Sequence, residues 1–105
     1  MIARIWHGYT TLQNGDAYFK VLTTEVIPGI AAMKLKGYRS IQVLRRKLAD
    51  EEEFITIMMF DSLENIKAFT GEDYEVCHVP PQARAVLKRF DARSQHYDLV
   101  HELES

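Results

Sequence analysis

The sequence predicts one α+β domain: a four-stranded antiparallel sheet with helices packed on one side. Three observations point there. The period of the apolar residues changes along the chain in the order strand, helix, strand, strand, helix, strand. The two middle strands, 38–48 and 54–60, are separated by little more than the charged run Asp50 to Glu53, so a hairpin is the economical connection. The second of these strands, FITIMMF, is apolar on both faces, which places it in the middle of a sheet.

Residues 2–10 alternate weakly as a first strand. Ala3, Ile5, His7 and Tyr9 share one face, and Ile2, Arg4, Trp6 and Gly8 the other. Both faces carry bulky apolar groups, so both are expected to be covered. The helices are expected over the His7 face, leaving Ile2 and Trp6 on the open one. Asn14 is placed to cap the first helix, with Asp16 in its first turn. Tyr18, Leu22, Val26, Ile30 and Met33 form its apolar stripe. Pro28 removes a backbone donor and crowds the carbonyl of Thr24, predicting a kink or an early stop. Gly37 marks the turn into the second strand, in which Ile41 and Val43 face one way and Gln42 and Leu44 the other.

Asp61 or Ser62 caps the next helix, whose apolar face is Leu63, Ile66 and Phe69, and Gly71 ends it. The segment 72–79 has no clear period. Pro80-Pro81 then opens a further helical piece, the second proline at its first position, with Ala83, Val86, Leu87 and Phe90 inward. The last strand is predicted over 92–103. Split βαβ order of this kind is that of a ferredoxin-like βαββαβ sandwich, and right-handed crossovers put both helices on one side of the sheet. An apolar open face calls for a cover, and a second copy of the chain, sheet against sheet, is the simplest.

The bulk properties exclude several classes. At 105 residues, 47% hydrophobic, the chain is expected to be a single domain, 1–105, with a true core. A net charge of -2 gives no basic excess for nucleic acid or an anionic membrane. No apolar run approaches the roughly 20 residues of a membrane span. The single cysteine, Cys77, cannot form an internal disulfide, and a reducing cytoplasm is the expected compartment. His7, His78, His96 and His101 show neither an i, i+4 pair nor a His-x-His pair, so no metal site is expected. There is no phosphate loop, dinucleotide fingerprint or G-x-S-x-G elbow.

Chemistry therefore rests on a few side chains. His78 suits a general base that takes a proton from a phenol or hydroquinone, or a proximal ligand to haem iron; a loop histidine bonded to a backbone carbonyl is its bland alternative. His7 is a second candidate base, or a core histidine satisfied by one hydrogen bond. Phe69 is placed to stack on a flat ligand or to serve as plain core. Tyr74 follows the glycine break and offers a phenol, and Arg84 reads as a solvated helix residue.

The opening MIARIWHGYT, the segment TEVIPGI, the strand GYRSIQVLRR, the segment FDSLENIKAFTGEDYE and the closing RFDARSQHYDLV together resemble the antibiotic biosynthesis monooxygenase (ABM) superfamily over nearly the whole chain. That resemblance implies a ferredoxin-like fold that dimerises into an α/β barrel, with a pocket in each subunit between sheet and helices. It implies a monooxygenase acting on a planar aromatic or quinol-like substrate without metal or flavin. His78 and His7 would then be the catalytic candidates, and Tyr9, Phe60, Phe69 and Tyr74 the substrate-binding ones. Haem-degrading members use an asparagine on the first strand, a tryptophan on the second helix and a histidine beyond it; the matching positions here are His7, Phe69 and, about one residue short, His78. Polyketide oxygenases of the superfamily carry a tryptophan where this chain has Phe60. A haem-binding or haem-degrading protein and a non-enzymatic dimeric ligand-binding module are the alternatives.

Overall fold

The computed structural model describes residues 1–104. Strand β1 (Ile2–Thr11) is the axis of the sheet, since three other strands pair with it. β3 (Glu51–Phe60) runs antiparallel along its whole length, from Ile2 opposite Phe60 to Thr11 opposite Glu51. β2 (Tyr38–Lys47) forms the predicted hairpin with β3, and the strand order is β2-β3-β1-β4. β3 is thus interior, as its two apolar faces require.

The far edge of β1 is shared by two short pieces. β4 (Arg89–Phe90) pairs with Gly8 and Tyr9, and β5 (Gln95–Asp98) pairs with Ile2 to Ile5. They replace the single strand expected over 92–103. Between them the chain leaves β1 and bonds the loop after the second helix: Cys77 donates to the Ala92 carbonyl at 3.1 Å, and Ser94 donates to the Glu75 carbonyl at 2.7 Å. After Asp98 no strand continues, and Val100 and Leu103 are exposed.

Helix α1 spans 15–32 as three consecutive segments, α-helical over Gly15–Val21, π-helical over Leu22–Val26 and α-helical again over Ile27–Ala32. The disturbance ahead of Pro28 is therefore a widened turn within a continuous helix rather than a stop. Thr23 and Thr24 return hydroxyl bonds to Phe19 and Lys20 carbonyls there. The widened turn has a packing consequence. Tyr18, Leu22, Val26 and Ile30 are spaced by four, and an ideal α-helix would rotate each about 40° from the last. The π segment takes up that drift, and all four are buried. Met33, expected on the same stripe, is 47% exposed, because the helix ends at Ala32.

Helix α2 (Leu63–Thr70) is capped by Ser62, whose hydroxyl accepts from the Asn65 backbone, and ends at Gly71 with φ 100°. The left-handed backbone there favours glycine. Helix α3 (Pro81–Arg84) has its proline at the first position, as expected, but it is a single turn, and Phe90, expected on its inward face, lies in β4. Ile66, Phe54 and Phe60 are sealed between the helices and the sheet, each contributing about 1.5–3 kcal/mol by burial.

Which face of β1 the helices cover is opposite to the expectation. Arg4, Trp6, Gly8 and Thr10 are buried beneath the helices, whereas Ala3, Ile5, His7 and Tyr9 lie on the open face. Register extends both sets across the sheet. Arg4 sits beside Met58 and His96 on the covered face, and Ile5 beside Ile57 and Gln95 on the open one. A two-residue period defines the two sets but not which is inward, and both carry apolar residues here.

The glutamates before Phe54 also differ from the charged turn that was expected. Glu51, Glu52 and Glu53 are the buried start of β3. Each carboxylate is paired: Glu51 with Lys88 and Arg89, Glu52 with Arg45, and Glu53 with Arg46. Pairing of this kind is what permits acidic groups to be covered.

Candidate functional site

A cavity lies between the covered face of the sheet and the helices. Tyr18, Leu22, Val26 and Ile30 of α1 form one wall, Trp6, Thr56 and Met58 of the sheet the floor, and Phe69, His78 and Pro80 the opposite side. Arg4 and Ser94 close its polar end. The cavity is about 40 Å³ measured as space for the centre of a water-sized sphere, and about 480 Å³ when all non-atomic space up to the mouth is counted. It is a narrow slot with an open entrance.

Each side chain is held there for a traceable reason. Trp6 lies across Gly8: a Cβ on Gly8 would come within 2.4 Å of the indole, so the missing side chain at position 8 makes room for the ring. The indole Nε1–H donates to the Asp91 carbonyl at 2.9 Å, and the ring packs on Phe90. Phe69 stacks on Phe60 at 6.1 Å and 25°. His78 leans on Phe69, ring centres 5.0 Å apart. It is an exposed residue at the rim of the cavity lining. Partial burial, and then the Arg4 charge, lower its pKa below the usual 6.5, which favours the neutral, proton-accepting imidazole.

Arg4 was not singled out by the sequence and is the most unusual group in the cavity. It is 3% exposed and has no carboxylate partner among the described residues. Nη1 donates to the Tyr74 carbonyl at 2.6 Å and contacts His96 Nε2 at 3.0 Å; Nη2 donates to the Val76 carbonyl at 2.7 Å. Burial lowers its pKa to about 10, with nearby Cys77 acting in the opposite direction. The guanidinium also lies 5.6 Å from the centre of the Phe69 ring, within cation–π range. Tyr18 adds a phenol whose pKa burial pushes well above its ordinary value, so it remains protonated.

Of the six residues singled out earlier, two meet in this cavity: Phe69 and His78. Phe60 is one layer deeper, fully buried, and supports Phe69 from behind. Tyr74 packs edge-on against His96 at 5.1 Å and reaches the cavity only through its carbonyl bond to Arg4. His7 and Tyr9 are on the open face. His7 Nδ1 is 3.2 Å from Asp91, and the Tyr9 hydroxyl donates to Glu53 beneath the Arg89 guanidinium. Arg84 is exposed, donates to the Val79 carbonyl and lies over Phe90. Trp6, Arg4 and Tyr18 take the places the sequence reading left empty. The signal for them was Gly8, two residues after a tryptophan on the same strand face.

Among the described residues, no three His, Cys, Asp or Glu side chains converge in a way that could hold a metal ion, and no helix is long and apolar enough to cross a membrane.

The fold is an α+β sandwich with a cavity between sheet and helices. No protein-family model matches the chain, and no curated protein matches it. Among solved structures it is similar to a candidate antibiotic biosynthesis monooxygenase from Bacillus cereus, with a TM-score of 0.68 and 15% identity over 99% of this chain and 95% of that one. The chain thus has the ferredoxin-like fold of that protein over nearly the full length of both.

Proposed function

We propose that the protein is a small monooxygenase of the ABM type that oxidises a planar phenolic or quinol-like ring without metal or flavin. The observation that carries this reading is the placement of His78. It is a histidine biased toward its neutral form, in ring contact with Phe69, at the rim of a mostly apolar slot. The shared fold with a candidate antibiotic biosynthesis monooxygenase supports it.

In this reading a flat ring slides between Trp6 and Phe69 on one side and the α1 stripe on the other. Neutral His78 takes the proton of an acidic O–H, and the resulting anion is delocalised onto a ring carbon. Dioxygen adds at that carbon and the hydroperoxide loses water, leaving a new carbonyl. The one hydrogen on that carbon and the O–H proton leave with one oxygen atom as water, and the other oxygen atom stays in the product. The substrate supplies the electrons, which is why no redox cofactor enters the balance.

The open sheet face supports a homodimer as part of the same reading. Ile5, Ile55, Ile57 and Met59 form a half-buried apolar band on it, rimmed by the Arg46–Glu53 and Arg89–Glu51 pairs. An apolar centre with a polar rim is the usual anatomy of an interface. Oxygen uptake in air with a panel of planar phenols and quinols tests the activity. Uptake with one or more of them is expected, and none across a broad panel would contradict it.

A further inference from the structure

The cavity contains a cation and no anion. Its lining includes no aspartate or glutamate, and Arg4 is covered at its polar end. A buried guanidinium ordinarily meets a carboxylate, because removing a charge from water costs several kcal/mol unless it is paired. Of the six other arginines, Arg39, Arg45, Arg46, Arg89 and Arg93 each reach an acidic side chain, and the remaining one, Arg84, is exposed to solvent. Arg4 has only two carbonyls and an imidazole.

Its hydrogen bonding is also incomplete. A guanidinium carries five N–H groups; three are engaged by Tyr74, Val76 and His96. Nε has no protein acceptor among the described residues, and Arg4 is part of the cavity lining. Ser94 and Thr56 bring hydroxyl-bearing side chains to the same lining. The two acceptor carbonyls clamp the guanidinium in position, so it is preorganised for whatever enters.

We propose that this slot selects a planar ligand bearing one anionic oxygen, phenolate or carboxylate, and that Arg4 is the group that receives it. The inference builds on the proposed oxidation, since it specifies the charge of the substrate: the O–H deprotonated by His78 becomes an oxyanion paired by Arg4. Arg4 would then supply the charge stabilisation that the otherwise apolar slot lacks.

The test separates binding from turnover by using the naphthoate anion and its uncharged amide, neither of which is a quinol. Binding is followed by calorimetry and by the indole N–H resonance of Trp6, the only tryptophan in the chain. The anion is expected to bind about tenfold or more tightly than the amide, the value of one charge-assisted hydrogen bond, and to shift the Trp6 resonance. In Arg4→Gln the preference should vanish. Equal or weaker binding of the anion by the native protein, or no binding of either probe, would overturn the inference, and that comparison stands even if Arg4→Gln does not fold. A folded Arg4→Gln that keeps the preference would also overturn it. Charge-selective binding without oxygenation of any quinol would leave this inference standing and sink the proposed oxidation; oxygenation without charge selectivity would do the reverse.

Discussion

Phe69 and His78 meet ring to ring, 5.0 Å between centres at an angle of 46°, so the candidate base is positioned by an aromatic side chain rather than by a hydrogen bond. Phe69 is in turn held by Phe60 behind it. Phe69→Ala should cost about 3–5 kcal/mol, as truncation of a buried aromatic usually does, and should free His78 as well. Urea unfolding reads the first effect. A rise of the His78 pKa toward 6.5, seen by proton NMR, reads the second, because the covering ring would be gone.

Gly8 is required by its neighbour, not by its backbone. An added Cβ would meet the Trp6 ring at 2.4 and 2.8 Å, and Leu87 at 3.2 Å. Gly8→Ala should therefore displace the indole from the cavity floor at a cost of about 1–3 kcal/mol, the usual range for overpacking. A changed Trp6 emission maximum together with weakened ligand binding is the expected outcome. Gly29, where an added Cβ meets nothing within 4 Å, is the control, and Gly29→Ala should leave both readouts unchanged.

Stability should fall with acid in two separate windows. His96 and His78 have pKa values below the ordinary 6.5, chiefly from burial and then from Arg4; Glu75 and the Ser94 backbone pull His96 partly back. As pH falls through 6.5 the unfolded chain takes up these protons first, so stability declines until the folded values are passed. His96 should dominate, since His78 is partly solvated. The second window belongs to Glu51, Glu53, Asp61 and Asp73, whose hydrogen bonds to Arg89, Arg46, Arg39 and Arg93 lower their pKa values. Their contribution is present above the ordinary 4.5 and 3.8 and is lost as pH falls through the lower folded values. Urea midpoints measured across acid pH should show both declines, and a flat profile between neutrality and about pH 5 would contradict the histidine assignment.

The open sheet face can be tested without touching the cavity. Ile57 sits there opposite Ile5 and Gln42, away from the helix side. Light scattering should show the native chain as a dimer and Ile57→Lys as a folded monomer. A monomeric native chain at high micromolar concentration would contradict the sheet-to-sheet dimer.

The arrangement of elements was legible because it is written in local signals. FITIMMF between a hairpin and Ser62, Gly71 at a helix end, and Pro80-Pro81 before a short helix each act over a few residues, and the structure bears them out. The site was less legible because it depends on which strand face turns inward. With Ile5 and Tyr9 on one side of β1 and Ile2 and Trp6 on the other, alternation alone was undecided. The face of Arg4 and Trp6 was expected to be the open one, and the reverse holds because the carbonyls of Tyr74 and Val76 and the ring of His96 receive Arg4 from seventy or more residues away. The break in the last strand was illegible for the same reason: the partners of 92–94 are in the loop around Glu75 and Cys77.

In the proposed reaction this slot inserts one atom of dioxygen into a planar ring with His78 as base. Isotopically heavy dioxygen supplied to the native protein, with mass analysis of the product of any quinol that is consumed, tests it most directly. One heavy oxygen atom is expected in the product, the other in water, with a rate lowered about 10²–10⁴-fold in His78→Ala. An unlabelled product with hydrogen peroxide equal to the oxygen consumed, or a His78→Ala protein that turns over as fast as the native one, would contradict it.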